Sequence, residues 1–410
     1  MKIKIKNPEL YIFQFFWIIA IVPKTVQFVI ILICTLLYKN QKYHFSKEIY
    51  PIILGVAIQV LAVIMQVVHG ATDIKRIEAA ANTIMMWIFA SVAFSECKRK
   101  EYTCQDIEKV KRFVIIDWII LIILYIFSIV SNKTSIYFLG MNLALKRTDY
   151  LEGGSGARFC ALMETPLASS HMFICNIILY FFLNSLKKTE PRNKDRLFDL
   201  VICCAFIATC AAHSRIGMLI GGLCLIAYLI CGLNKFKLSS RSRKTIIACI
   251  VFCGIVASFM LSKNIVDSLL KLFNGRSGSN EARFVVYRLS IQKVLTESPI
   301  IGIGVKYLVD GFIPYGSHST YIGLFYKTGF VGVLAFGCGF VKIIKNIWNN
   351  IKYIVSGLNL YCLFLMAVSY FFFLVFADID GINWVIIMVF STWGILCNRN
   401  LSRGAEGEIN

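Results

Sequence analysis

Eleven apolar runs divide the 410-residue sequence, and most are within a few residues of the length a helix needs to cross hydrocarbon. They fall at 10–37, 50–68, 79–94, 113–130, 167–186, 198–213, 216–233, 245–261, 320–341, 356–376 and 382–397. A bilayer interior offers the backbone no water, so each run must satisfy its own amides, as a helix does. The expected fold is therefore all-α: a polytopic membrane helical bundle, one integral membrane domain over residues 1–410. The first run is the exception in length. As a single helix it would extend about 42 Å through a core of about 30 Å, and Pro23-Lys24 interrupts it near its middle. It is expected to make two short passes or a re-entrant hairpin. The chain would then cross about 12 times, or 11 if the run is one span. No small-residue cleavage site follows the basic start Met1 to Lys6, so this segment is expected to remain uncleaved.

Charge assigns sides. The net charge of +20 would suit nucleic acid if it gathered on one polar domain, but it is dispersed among short loops, so nucleic acid is not an expected partner. With the N-terminus inside, 27 of the 43 Lys and Arg fall on the cytoplasmic side. Another 15, spread over more residues, fall outside, and Lys327 lies within a span. That is the asymmetry of the positive-inside rule, and it puts both termini in the cytoplasm. Two long outer loops follow, residues 131–166 and 262–319, the second with short helices. The tight hairpin from His213 to Gly217 joins them on the same face. Of the 15 cysteines, most lie inside apolar runs as small hydrophobes, and no disulfide framework or zinc spacing emerges.

Three places on that face could carry chemistry. Arg215, between two apolar runs, either snorkels to lipid headgroups or anchors a phosphate, which its guanidinium fork can grip bidentately. Residues 281–298 should form a helix ended by Ser298-Pro299, with Arg283, Tyr287 and Val294 on one stripe. Phe284, Arg288, Ile291 and Leu295 form the neighbouring stripe, so the helix is either interfacial or part of a site. His318 follows Gly302, Gly304, Gly311 and Gly316, whose backbone can bend freely, and precedes Ser319-Thr320, which can cap the next span. A lone imidazole there is either a structural hydrogen-bonder or a base, and His69, His171 and His213 also fall at or near this face. No second histidine or carboxylate stands at ligand spacing beside His318, so no metal site is expected. Asp378 and Asp380, on the last outer loop, are expected to be solvated.

In order along the chain stand Ser214-Arg215-Ile216-Gly217, Arg283-x-x-x-Tyr287, Pro299-Ile-Ile-Gly-Ile-Gly304, and His318-Ser-Thr-Tyr321 followed by Gly329-Phe-Val-Gly332. Over residues 198–341 this set resembles the O-antigen polymerase and O-antigen ligase superfamily. The resemblance implies ten to fourteen spans and action on lipid-pyrophosphate-linked glycans at the outer face of the cytoplasmic membrane. It also implies functional roles for Arg215, Arg283 and His318. Tyr287 stands where the family often has tryptophan and Ser319 where it often has asparagine, so acceptor preference does not carry over. The expected function is a Wzy-type polymerase, a membrane glycosyltransferase joining undecaprenyl-pyrophosphate-linked repeat units into capsule or O-antigen. Arg215 and Arg283 would hold the pyrophosphate and His318 would serve the acceptor. Arg288, Arg158, Tyr287, Ser214 and Tyr321 are the further binding candidates, and no cofactor or metal is implied. Membrane lipid and a chain-length regulator are the expected partners. The alternatives are ligation of finished polymer to lipid A-core, and transport of lipid-linked sugars or small anions, for which Lys327 is the mid-span charge.

Overall fold

The computed structural model describes residues 45–70, 73–138, 141–148, 157–163, 165–186, 195–233, 277–309, 313–379 and 383–401. Before them it describes Leu10, Phe13, Trp17, residues 19–22, Val26, Gln27 and Val29. The expected span at 245–261, most of the first apolar run and residues 262–276 lie outside the described residues. What is described of the first run fits a break: the Gln27 side-chain amide donates to the carbonyls of Ile19 (2.9 Å) and Val22 (2.8 Å), an 8-residue reach that a straight helix would not close.

The apolar runs become helices α1 (Tyr50–Val68), α2 (Ile74–Arg99), α3 (Cys104–Val130), α4 (Pro166–Ser185), α5 (Asp195–Cys210) and α6 (Arg215–Leu233). After the loop helix α7 (Ser277–Glu297) come α8 (Thr320–Ile354), α9 (Leu358–Phe373) and α10 (Asn383–Leu396). Among the described residues six helices are long and apolar enough to cross a membrane: α1, α2, α3, α4, α6 and α8. Shorter apolar helices lie at α5, α9 and α10. This is a mostly helical, multi-pass membrane protein.

Several helices run past their apolar stretches for reasons of capping and side-chain register. Asp73 caps α2 by accepting from the Arg76 amide, and Lys98 and Arg99 face the negative end of the helix dipole. Thr103 and Asp106 form a capping box that starts α3 well before Phe113. Beyond Val341, α8 continues because Ile343, Ile347 and Ile351 recur at helical spacing and stay buried.

α4 is the central helix, packed against α3, α5, α6, α9 and α10 and buried along nearly its whole length. α2 lies along α10, and α1 along α8. Aromatic rings fill the seam, with Phe371 stacked on Trp393 at 4.3 Å and Trp87 edge-on to Phe390 at 5.6 Å.

The expected all-α class holds as a mostly helical chain with a few short strands. Among the described residues three antiparallel two-stranded pairs occupy the connecting segments: β1 (Ser135–Phe138) with β2 (Met141–Ala144), β3 (Lys146–Thr148) with β4 (Ala157–Phe159), and β5 (Leu308–Val309) with β6 (Ile313–Pro314). Strands of two to four residues carry too little alternation to stand out in sequence. The second pair is tied to the α5–α6 turn, where the Phe159 amide donates to the Ala211 carbonyl at 3.0 Å.

Of the glycines ahead of His318, Gly311 lies outside the described residues, while Gly302, Gly304 and Gly316 take the positive φ that the expected turns need, and the first two also serve a close approach of backbones. α8 is broken at Gly329, which adopts φ 59°, ψ −161°. The segment from Pro299 to Gly304 fills the gap. Ile303 and Gly304 donate their amides to the carbonyls of Tyr326 (2.8 Å) and Lys327 (3.0 Å), while Phe330 and Val331 donate to Pro299 (2.9 Å) and Ile300 (3.1 Å). An interrupted membrane helix survives only where its freed polar groups find partners, and this wedge supplies them. Lys327 lies within this break and is buried. Gly302, at φ +73°, is required by close approach, since a Cβ there would stand 2.4 Å from the Thr328 nitrogen.

Candidate active site

The end of the bundle that bears the long loops gathers cations from four separate segments. Arg215 opens α6, and the charge of Arg283 on α7 acts on it. Arg158, on β4, acts in turn on Arg283. Lys306, in the turn after the wedge, acts together with Arg283 on His318. The three residues singled out by sequence, 103 positions apart from first to last, are thus brought into one electrostatic neighbourhood.

Local structure fixes each member. His213, in the left-handed region at φ 50°, turns the chain sharply out of α5. The Ser214 hydroxyl then accepts from the Gly217 amide at 3.2 Å and caps α6. Gly217 is small by necessity, because a Cβ there would lie 2.2 Å from the Ser170 Oγ of α4. The Arg158 Nε donates to the Ala212 carbonyl at 2.9 Å, holding its hairpin against the same turn.

On α7 the half-buried Arg283 and Tyr287 share a stripe with the buried Val286, Ser290 and Val294. Arg288 falls about 140° around the helix from Arg283 and is exposed, so the structure leaves it out of the cluster. Phe284 and Leu295 are exposed on its side of the helix.

His318 is held from several directions. Its backbone is left-handed at φ 67°, unusual for a residue with a side chain, and strain of this kind gathers at functional sites. The Tyr287 hydroxyl donates to the His318 carbonyl at 2.9 Å, and the Ser290 Oγ accepts from the Gly316 amide at 2.8 Å. Ser319 caps α8, as expected. Thr320 ties the start of α8 to the end of α9: its hydroxyl donates to the Ala377 carbonyl at 2.7 Å and accepts from the Ile379 amide at 3.0 Å. Tyr321 points its hydroxyl at the Phe371 carbonyl (2.9 Å), and Ser214 is buried as a cap. Both of these binding candidates therefore perform packing duties here.

The electrostatics favour an anion. Burial first, then the charges of Arg283 and Lys306, push the His318 imidazole down to about 4, so it is neutral at physiological pH. Burial and the charge of Arg158 draw the Arg283 guanidinium below its ordinary range, although it stays charged. Its Nε is buried with no hydrogen-bond partner among the described residues. Burial raises the Tyr287 hydroxyl and keeps it a donor. The positive ends of the α6 and α8 dipoles add to the field. Asp378 supplies a carboxylate, paired with Lys306 at 2.9 Å, and the two side chains are only 12% and 18% exposed. The expectation of a solvated Asp378 is thus overturned, because the Thr320 tie folds its loop inward. Lys306 had no mark in the sequence beyond following a Gly-x-Gly. Among the described residues no group of three His, Cys, Asp or Glu gathers closely enough to hold a metal ion.

Residues 200–337 match the family model described as O-antigen ligase. Over that region the chain is similar to the O-antigen ligase and polymerase superfamily. That region contains Arg215, Arg283, Lys306 and His318, whereas Arg158 and Asp378 reach the cluster from outside it. Enzymes of this superfamily are membrane glycosyltransferases of the ligase or polymerase type. No curated protein matches the chain.

Proposed function

We propose that the protein is a polysaccharide polymerase that joins lipid-pyrophosphate-linked oligosaccharide repeat units, carried on undecaprenyl, at the outer face of the cytoplasmic membrane. The observation that carries this reading is the convergence of Arg215, Arg283 and His318 with two further cations at the loop-bearing end of the bundle. An acceptor hydroxyl attacks the anomeric carbon of the donor sugar. The bond from that carbon to the phosphate oxygen breaks, and the lipid pyrophosphate leaves with the electron pair.

The leaving group is already activated, so the protein needs fixed positive charge and a way to take the hydroxyl proton. Arg215 and Arg283 hold the two phosphates, and Arg158 reinforces Arg283. The neutral His318 ring orients the acceptor hydroxyl and receives its proton. Positive neighbours lower its basicity, so a pyrophosphate between them raises it again, and the substrate improves its own base.

The description O-antigen ligase supports a second reading of the same site, in which finished polymer is transferred, with lipid A-core as the acceptor. Replacing His318 with Ala and displaying lipid-linked glycans on a gel separates the two. A polymerase defect leaves single repeat units on lipid outside the membrane, whereas a ligase defect accumulates long lipid-linked polymer. Single units trapped inside would instead mark a flippase and overturn both readings.

A further inference from the structure

We infer that Lys306 is a third phosphate-binding cation, held on Asp378 until the leaving pyrophosphate draws it across, and that it serves the charge which appears only as the sugar–phosphate bond breaks. The inference rests on the proposed pyrophosphate chemistry and assigns a role to a residue outside the Arg215, Arg283 and His318 set.

Three observations support it. The backbone of Lys306 is fixed on both sides, by the Gly304 amide on the Lys327 carbonyl at 3.0 Å and by the Tyr315 amide on the Tyr307 carbonyl at 2.9 Å. The ammonium is thereby held over the first turn of α8, 3.0 Å from where a Cβ on Gly323 would stand. A helix N-terminus is a poor place for a cation and a good one for an anion. Its partner Asp378 lies on the segment tied to Thr320 and also acts on Tyr287, so the pair borders both the histidine and the loop helix.

Charge counting gives the third cation its task. A sugar-linked lipid pyrophosphate is a diester with one negative charge on each phosphate, which Arg215 and Arg283 match. Once the bond to the sugar breaks, the released end is a monoester whose second ionisation lies near pH 6, so negative charge grows along the reaction. A cation engaged only then speeds the chemical step without tightening substrate binding. A flexible ammonium suits an exchange between two anions better than a rigid guanidinium fork does.

The test compares binding of farnesyl pyrophosphate, which carries the leaving group's charge, with that of its terminal methyl ester, which carries the substrate's. Calorimetry on the full chain in nanodiscs measures both. The wild type should prefer farnesyl pyrophosphate by about tenfold, the worth of one charge-assisted contact. Lys306→Arg should keep the preference and Lys306→Gln should bring the ratio near one. Because breaking a buried ion pair can unfold a protein, the double variant Lys306→Met with Asp378→Asn removes both charges together and should behave as Lys306→Gln. A wild-type ratio in either charge-removing variant overturns the role of Lys306 and leaves the proposed function standing. Failure of the wild type to bind either compound overturns both.

Discussion

Gly302→Ala tests whether the glycine-rich segment is a structural wedge. The new methyl group would stand 2.4 Å from the Thr328 nitrogen, 2.5 Å from the Gly329 nitrogen and 2.6 Å from the Lys327 carbonyl carbon. All three are backbone atoms and cannot swing aside. Holding alanine at φ +73° costs about 1–2 kcal/mol, and overpacking adds about 1–3 kcal/mol. If the wedge withdraws instead, up to four hydrogen bonds are lost at about 1 kcal/mol each. Either route gives a destabilisation of roughly 2–5 kcal/mol. At about 2–4 °C per kcal/mol for larger domains, the detergent-solubilised variant should melt about 4–20 °C below the wild type and, under the proposed function, transfer glycans poorly, because the wedge leads into Lys306 and His318. Gly337→Ala is the control. Nothing lies within 4 Å of a Cβ there, and alanine in a helix is worth up to about 1 kcal/mol over glycine, so its melting point should hold or rise. A Gly302→Ala protein that melts with the wild type would refute the wedge.

The remaining predictions concern the cluster. Arg283→Lys should cut the single-turnover rate about 100-fold, because the guanidinium fork is lost while the charge remains, whereas Arg288→Ala, exposed on the far side of α7, should act as wild type. In the folded state His318 protonates only near pH 4, against 6.5 when unfolded, so on acidification the unfolded chain takes up a proton first. Stability should therefore fall from pH 6.5 to 4 by up to about 3 kcal/mol, and denaturant titrations of His318→Gln should show a shallower fall. Since arginines and a lysine supply the positive charge in the proposed mechanism, glycosyl transfer should persist in EDTA; a loss that magnesium reverses would contradict it.

The membrane architecture was legible because each apolar run is a near-sufficient instruction in lipid: α1 spans Tyr50–Val68 just as its run does. Ends were less legible where a polar cap sets them, as at Thr103 and Asp73. The hairpins around Arg158 left too short an alternation to notice. Arg215, Arg283 and His318 could be put on one face by counting charges, but their meeting depends on long-range ties. The Arg158 bond to Ala212 and the Thr320 bond to Ala377 join residues 54 and 57 positions apart. Those same ties bring in Arg158 and Asp378. The glycines show a subtler gap, since sequence displays a residue that can bend and only the broken α8 shows why it must be small.

In the proposed function Arg215, Arg283 and His318 form one glycan-transfer site. Its most direct test is reconstitution of the purified protein in liposomes with a defined lipid-pyrophosphate-linked repeat unit as the sole substrate. The wild type should give a ladder of lipid-linked polymers, and Arg215→Ala, Arg283→Ala and His318→Ala proteins that melt as the wild type does should leave only the single unit. A wild-type ladder from any of these three variants, or none from the wild type, would contradict it.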